Sequence, residues 1–161
     1  DNSEYISALA KTIKTHEFYG KQDKIVFSYH GIPKKYFDEG DPYHCFCQKT
    51  SRLVGEALGL EESQYITSFQ SRLAAAGREW LKPYTSELME KLPKEGTKKI
   101  LILSPGFSMD CLETIEEIDE ENKEIFFESG GEAFHYIACL NDNDEHVEAI
   151  NKLITNKISQ L

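Results

Sequence analysis

Four short runs of bulky residues alternate with helical patterns along this chain, and that alternation constrains the fold more than any other feature. The runs are Lys24–His30, Tyr65–Gln70, Lys99–Leu103 and Phe134–Leu140. Each is rich in β-branched, aromatic or other apolar residues, and turn chemistry such as Gly31-Ile32-Pro33 follows, so each predicts a strand. Helical spacing fills the intervals. An opening helix over residues 5–15 carries Tyr5, Ile6, Leu9, Ala10 and Ile13 on one stripe, with Asn2 or Ser3 as cap. Further helices are predicted over Tyr43–Leu58, Trp80–Leu92, Leu112–Glu128 and Glu145–Ile158, the last capped by Asn141-Asp142-Asn143-Asp144. Residues 72–78, around Ala74-Ala75-Ala76-Gly77, read as a loop of small residues. Strand–helix units in succession predict an α/β fold: a four-stranded parallel sheet with helices on both faces, in the flavodoxin-type order 2-1-3-4. No repeat or linker interrupts the pattern, so residues 1–161 are expected to form a single domain.

Composition narrows the partners. A formal charge of −10 argues against nucleic acid, which needs a basic face, and leaves a cation or a basic partner open. No apolar run approaches the roughly 20 residues of a membrane-spanning helix. The start at Asp1 carries neither the basic flank nor the apolar stretch of a secretory signal, so a cytoplasmic setting is expected. Cys45, Cys47, Cys111 and Cys139 lack paired CxxC spacing and read as reduced thiols. Cys45 and Cys47 lie two apart on a helix, where side chains diverge, so they are not expected to share a metal.

The assumed strand order puts a crevice between the carboxyl ends of strands one and three. His30 ends strand one. Strand three empties through Ser104-Pro105-Gly106 into a helix crowded with carboxylates, opened by Glu113. Topology alone therefore brings His30 and Glu113 to one crevice. On a helical wheel Leu112, Ile115, Ile118, Asn122, Ile125 and Phe126 form the stripe expected to pack on the sheet. Glu113, Glu117 and Glu121 fall opposite, in a row that drifts in a regular helix and aligns if a π-type turn underwinds it. Such a row beside a histidine suits a hard or borderline divalent cation. Acidic runs are ordinarily solvated faces, and on spacing alone that reading stands first. Like charges four apart disfavour the helix, however, and only Lys123 offsets them, which favours a function. His30 could equally be a hydrogen-bonded core or loop histidine; His135 reads as structural, and His16, His44 and His146 as surface residues. Neither GxGxxG nor GxxxxGK occurs, so a nucleotide site has no support.

Several motifs in register resemble those of ferrochelatases, in their proteobacterial form. They are Phe27-Ser28-Tyr29-His30-Gly31-Ile32-Pro33, Gly40-Asp41-Pro42-Tyr43, Phe69-Gln70-Ser71-Arg72 and Trp80-Leu81-Lys82-Pro83-Tyr84-Thr85. Pro105-Gly106-Phe107, Asp110 through Ile118, and Cys139-Leu140-Asn141 continue the match. The resemblance implies a chelatase-like fold of two similar domains holding a porphyrin in the cleft between them, with this chain matching the C-terminal half and the N-terminal domain missing. It implies insertion of Fe(II), as substrate, into protoporphyrin IX. His30 and Glu113 take the catalytic positions by this resemblance. His30, Glu113, Glu117 and Glu121 take the metal positions, with Ser28, Trp80 and Asp110 beside the substrate cleft. Many relatives carry His where Cys111 stands, and Leu73–Gly77 reads as about two residues longer than the usual loop. No cysteine follows Cys139, so no iron–sulfur cluster is expected. Peripheral membrane contact stays open. So do two alternatives: a non-catalytic metal- or tetrapyrrole-binding module, and a chelatase for coproporphyrin, cobalt or nickel.

Overall fold

The structure, a computed structural model, describes residues 2–73 and 77–160. Four parallel strands, β1 (Lys24–His30), β2 (Tyr65–Gln70), β3 (Lys99–Leu103) and β4 (Ala133–Ile137), form one sheet in the order β2-β1-β3-β4. This is the order the alternation predicted. Helix α1 (Ser3–Thr15) is capped by the Asn2 side chain, which accepts from the Tyr5 N–H. Then follow α2 (Lys34–Asp38), α3 (Tyr43–Leu58), α4 (Thr85–Lys94), a short α5 (Leu112–Thr114), a π-helical segment Ile115–Asn122, α6 (Lys123–Glu128) and α7 (Asp144–Ile158). Among the described residues no helix is long and apolar enough to cross a membrane.

Successive strand residues point to opposite faces, and two apolar layers result. Ile25, Phe27, Tyr29, Leu101 and Leu103 pack with Leu9 and Ile13 of α1 and Val54 of α3. Val26, Ile100, Ile102 and Phe134 pack on the other side with Leu88, Met89 and Leu92 of α4, Ile118 of the π segment and Phe126 of α6. Helices thus cover both faces, as a buried parallel sheet requires.

Four expectations change. The helix predicted from Trp80 begins at Thr85. Pro83 is the reason: it lacks an N–H and pushes the residue before it out of the helical region. Trp80 instead bridges to Pro33, and Tyr84 to Phe69. The strand predicted to Leu140 ends at Ile137. The stripe assigned to Leu112–Phe126 is only half right. Ile118 and Phe126 are fully buried, whereas Leu112 is 69% and Ile115 51% exposed, because the wide π turns rotate the first turn away from the sheet. His146 is buried, its Nδ1 2.8 Å from the Asn141 carbonyl, while His16 and His44 are half-buried. Cys45 is exposed and Cys47 buried, the divergence expected of i,i+2 positions. The Ala74–Ala76 part of the predicted loop lies outside the described residues.

The join between α6 and β4 is tight. Gly131 donates to the Phe126 carbonyl, and a Cβ there would sit 2.2 Å from the buried Phe126 ring. Gly131→Ala is therefore expected to lower stability by about 1–3 kcal/mol through overpacking, read as a reduced urea midpoint at unchanged slope.

Candidate active site

At the carboxyl end of the sheet, the face that carries α4 changes character one residue at a time. Val26, Ile66, Ile100 and Ile102 are apolar; Ser28, Ser68, Gln70 and Ser104 follow them on the same face and are all buried. Ser28 Oγ donates to Gln70 Oε1 at 2.8 Å and lies 2.8 Å from Thr85 Oγ1, which in turn lies 2.9 Å from Ser68 Oγ. Ser104 Oγ donates to the same Gln70 oxygen at 3.1 Å. Burial without partners would be costly, and these groups satisfy one another. Ser28, expected beside the cleft, is therefore in the core: the strand pleat turns it under Thr85.

The next layer is open. A groove of about 510 Å³ is lined by His30, Ser71, Arg72, Leu73 and Trp80 on one side and by Leu112, Glu113, Glu116, Glu117 and Glu121 on the other. Four expected residues, His30, Glu113, Glu117 and Glu121, meet here, with Trp80. The His30 ring is exposed at the end of β1; its Nδ1 lies 2.6 Å from the Gly31 carbonyl, and its own carbonyl accepts from the Tyr43 hydroxyl at 2.8 Å. Trp80 lies flat in the wall, 7% exposed.

The acidic row is shaped by the winding beneath it. In α geometry a residue four positions on runs ahead by about 40°. Wider π turns fall behind, so the α5 turn and the π segment together keep Glu113, Glu117 and Glu121 facing one groove. Asn122 Nδ2 donates to the Glu117 carbonyl five residues earlier, at 2.5 Å. The Glu117 carboxylate is held as well, accepting from the Ser71 N–H at 2.6 Å and the Ser71 hydroxyl at 2.9 Å. Ser71 sits at φ 62°, the left-handed region that side chains disfavour, which aims both donors at one carboxylate. The Glu113 carboxyl lies below the ordinary glutamate value, first through the Cys111 thiol hydrogen bond, then its own backbone N–H, and also through the charge of His30. Among the described residues no three His, Cys, Asp or Glu side chains converge closely enough to hold a metal. The four residues expected as metal ligands form a row, not a cage, because they are spaced one helical turn apart. A cation would meet them in succession, one or two oxygens at a time.

Asp110 does not line the groove. Its Oδ1 accepts from the Tyr136 hydroxyl at 2.7 Å, the Thr114 hydroxyl at 3.1 Å and the Cys139 N–H at 3.2 Å. Its Oδ2 accepts from Asn141 Nδ2 at 2.7 Å. With its lone pairs occupied, it anchors the start of the acidic helix to the end of β4. Burial alone would raise its pKa, but the bonds from Asn141, Tyr136 and Cys139 outweigh that, and the carboxyl sits below the ordinary aspartate value. Sequence reading gave no role to Gln70, Ser71, Arg72, Leu73 and Glu116. The signal was available for the first four, since they leave β2 at the carboxyl end of the sheet, where the crevice was placed.

The ferrochelatase family model matches residues 1–158. The chain belongs to the ferrochelatase family. It is 53% identical over 155 residues to the ferrochelatase of Marinobacter nauticus, in an alignment covering 96% of this chain and 41% of that protein. It is 52% identical over 159 residues to the ferrochelatase of Idiomarina loihiensis, covering 98% of this chain and 43% of that one. The chain thus spans about two-fifths of the length of these curated ferrochelatases. Among solved structures, a cobalamin (vitamin B12) biosynthesis CbiX protein from Marinobacter aquaeolei is similar, with a TM-score of 0.54 and 12% identity. That alignment covers 86% of this chain and 98% of the other, and the likeness is one of fold.

A depressed carboxyl stabilises the fold above its unfolded value near pH ~3.9 and loses that contribution as pH falls through the folded value. Asp110→Ala, which leaves four donors without their acceptor, is expected to cost about 1–3 kcal/mol at pH 7. The deficit should shrink at pH 3, where the native carboxyl itself takes up protons; paired urea titrations at the two pH values measure both.

Proposed function

We propose that this chain is the C-terminal domain of a two-domain ferrochelatase, which inserts Fe(II) into protoporphyrin IX to form protoheme in the cytoplasm. The observation that carries the proposal is the groove: an exposed histidine faces a row of carboxylates between apolar lips, in a chain of this family. Its other wall would come from the N-terminal domain, and peripheral contact with a membrane is compatible with this arrangement.

Metal insertion has three requirements: a held macrocycle, removal of two pyrrole protons, and a partly dehydrated cation delivered to the ring centre. Leu73 and Leu112, 67% and 69% exposed at the rim, offer apolar surface to a flat ring, and Trp80 backs the wall. His30 in its neutral form accepts a proton near neutral pH. Glu113, charged at that pH because its pKa is lowered, stands as the partner that receives the cation or a second proton. Glu117 and Glu121 lead outward along the π segment. Oxygen ligands presented in sequence bind the ion weakly enough to pass it on. No iron–sulfur centre has a part in this scheme.

Co-expression with the N-terminal half of a ferrochelatase is expected to restore iron insertion, followed by the change in porphyrin absorbance. His30→Ala should then lower kcat by about 10²-fold or more. An active reconstituted enzyme that ignores this substitution would remove His30 from the chemistry. Glu117→Gln combined with Glu121→Gln should weaken cobalt(II) binding by this chain several-fold in titration calorimetry, and unchanged binding would return that helix face to plain solvation.

A further inference from the structure

Gln70 is the last residue of β2 and the direct register partner of His30 on β1. It is 2% exposed, yet it carries a primary amide where the layer below carries isoleucine. A buried amide has two acceptor lone pairs and two donors to satisfy, and its placement is informative for that reason. Its Oε1 accepts from Ser28, two residues before His30, and from Ser104, the first residue beyond β3. Its backbone carbonyl accepts from the Gly31 N–H at 2.8 Å, one residue after His30. Its Nε2 donates to the Glu113 carbonyl at 2.5 Å. Through these bonds one side chain joins the strand end that carries His30 to the helical turn that carries Glu113.

The acidic helix has reason to need this tie. Leu112 and Ile115 turn to solvent, so its first turn is anchored by polar contacts rather than by apolar packing. Asp110 fixes the turn toward β4, through Tyr136, Cys139 and Asn141. Gln70 fixes it toward β1. We propose that Gln70 is a positioning residue that sets the separation of His30 and Glu113, acting through the Glu113 backbone rather than by touching substrate. This rests on the reading of His30 and Glu113 as the insertion centre.

Two substitutions divide the tie. Gln70→Glu keeps an acceptor for Ser28 and Ser104 and removes the donor to Glu113; Gln70→Met removes both halves at similar volume. The first measurement is backbone amide exchange on this chain. Gln70→Glu should speed exchange at residues 114–118 about tenfold, with β1 and β3 amides unchanged, as expected when a local opening is eased. Exchange raised equally everywhere, or unchanged at 114–118, overturns the tie. The second measurement is iron insertion by the full two-domain polypeptide carrying the same substitutions. A misplaced pair should lower kcat about tenfold or more while the porphyrin KM stays within twofold. Exchange confined to 114–118 with kcat unchanged overturns the positioning role. A wild-type two-domain polypeptide that inserts no iron would instead refute the proposed reaction, leaving the exchange result to judge the tie. If Gln70→Met does not fold, Gln70→Glu, which preserves the sheet side of the network, carries the test.

Discussion

The working end of this molecule depends on how a handful of buried hydroxyls and one amide satisfy each other at the rim of a parallel sheet. Below them the α4-side layer is all aliphatic, and above them the groove is charged and wet. A direct junction of the two would leave either apolar surface in water or carboxylates against hydrocarbon. Ser28, Ser68, Thr85, Ser104 and Gln70 form the intermediate layer, each paired with another, so the polarity changes over one residue step of each strand. The layer also ends the strands at defined heights, and the heights decide where His30 emerges relative to the helix opposite.

The architecture was legible because parallel α/β folds write themselves into sequence at low resolution. Four buried strands and their intervening helices repeat often enough that a misplaced boundary changes little. The boundaries that failed had local causes. Trp80 to Leu92 carries a good helical stripe, but Pro83 overrules it and leaves Trp80 free to form the groove wall. Leu112 and Ile115 fitted an apolar stripe by count, and the π winding turned them outward. The pairing of His30 with Glu113 was readable from topology, since both lie at carboxyl ends of neighbouring strands. Ser28 and Asp110 were placed correctly along the chain and wrongly in depth. Whether a side chain faces a cavity or a hydroxyl depends on the pleat and on partners distant in sequence. Gln70 and Ser71 were overlooked because their importance lies in bonds to residues more than forty positions away.

The fold itself is not what distinguishes the site. A chain only 12% identical adopts a similar arrangement over nearly its whole length. What belongs to this family is the content of the rim: a histidine after β1, an amide after β2, and an acidic helix after β3.

The π segment has one further consequence, for the lengths this helix can take. A π turn is a helical turn carrying one residue more than an α turn needs. Losing a single residue between Ile115 and Asn122 would let the helix relax to regular winding, and everything beyond would rotate by about 100°. Ile118 and Phe126, both wholly buried, could not then both keep their places against the sheet. The row of carboxylates is thus locked to the core by reading frame. Side chains along it can vary singly, but the segment tolerates neither deletion nor insertion without choosing between its acidic face and its apolar one.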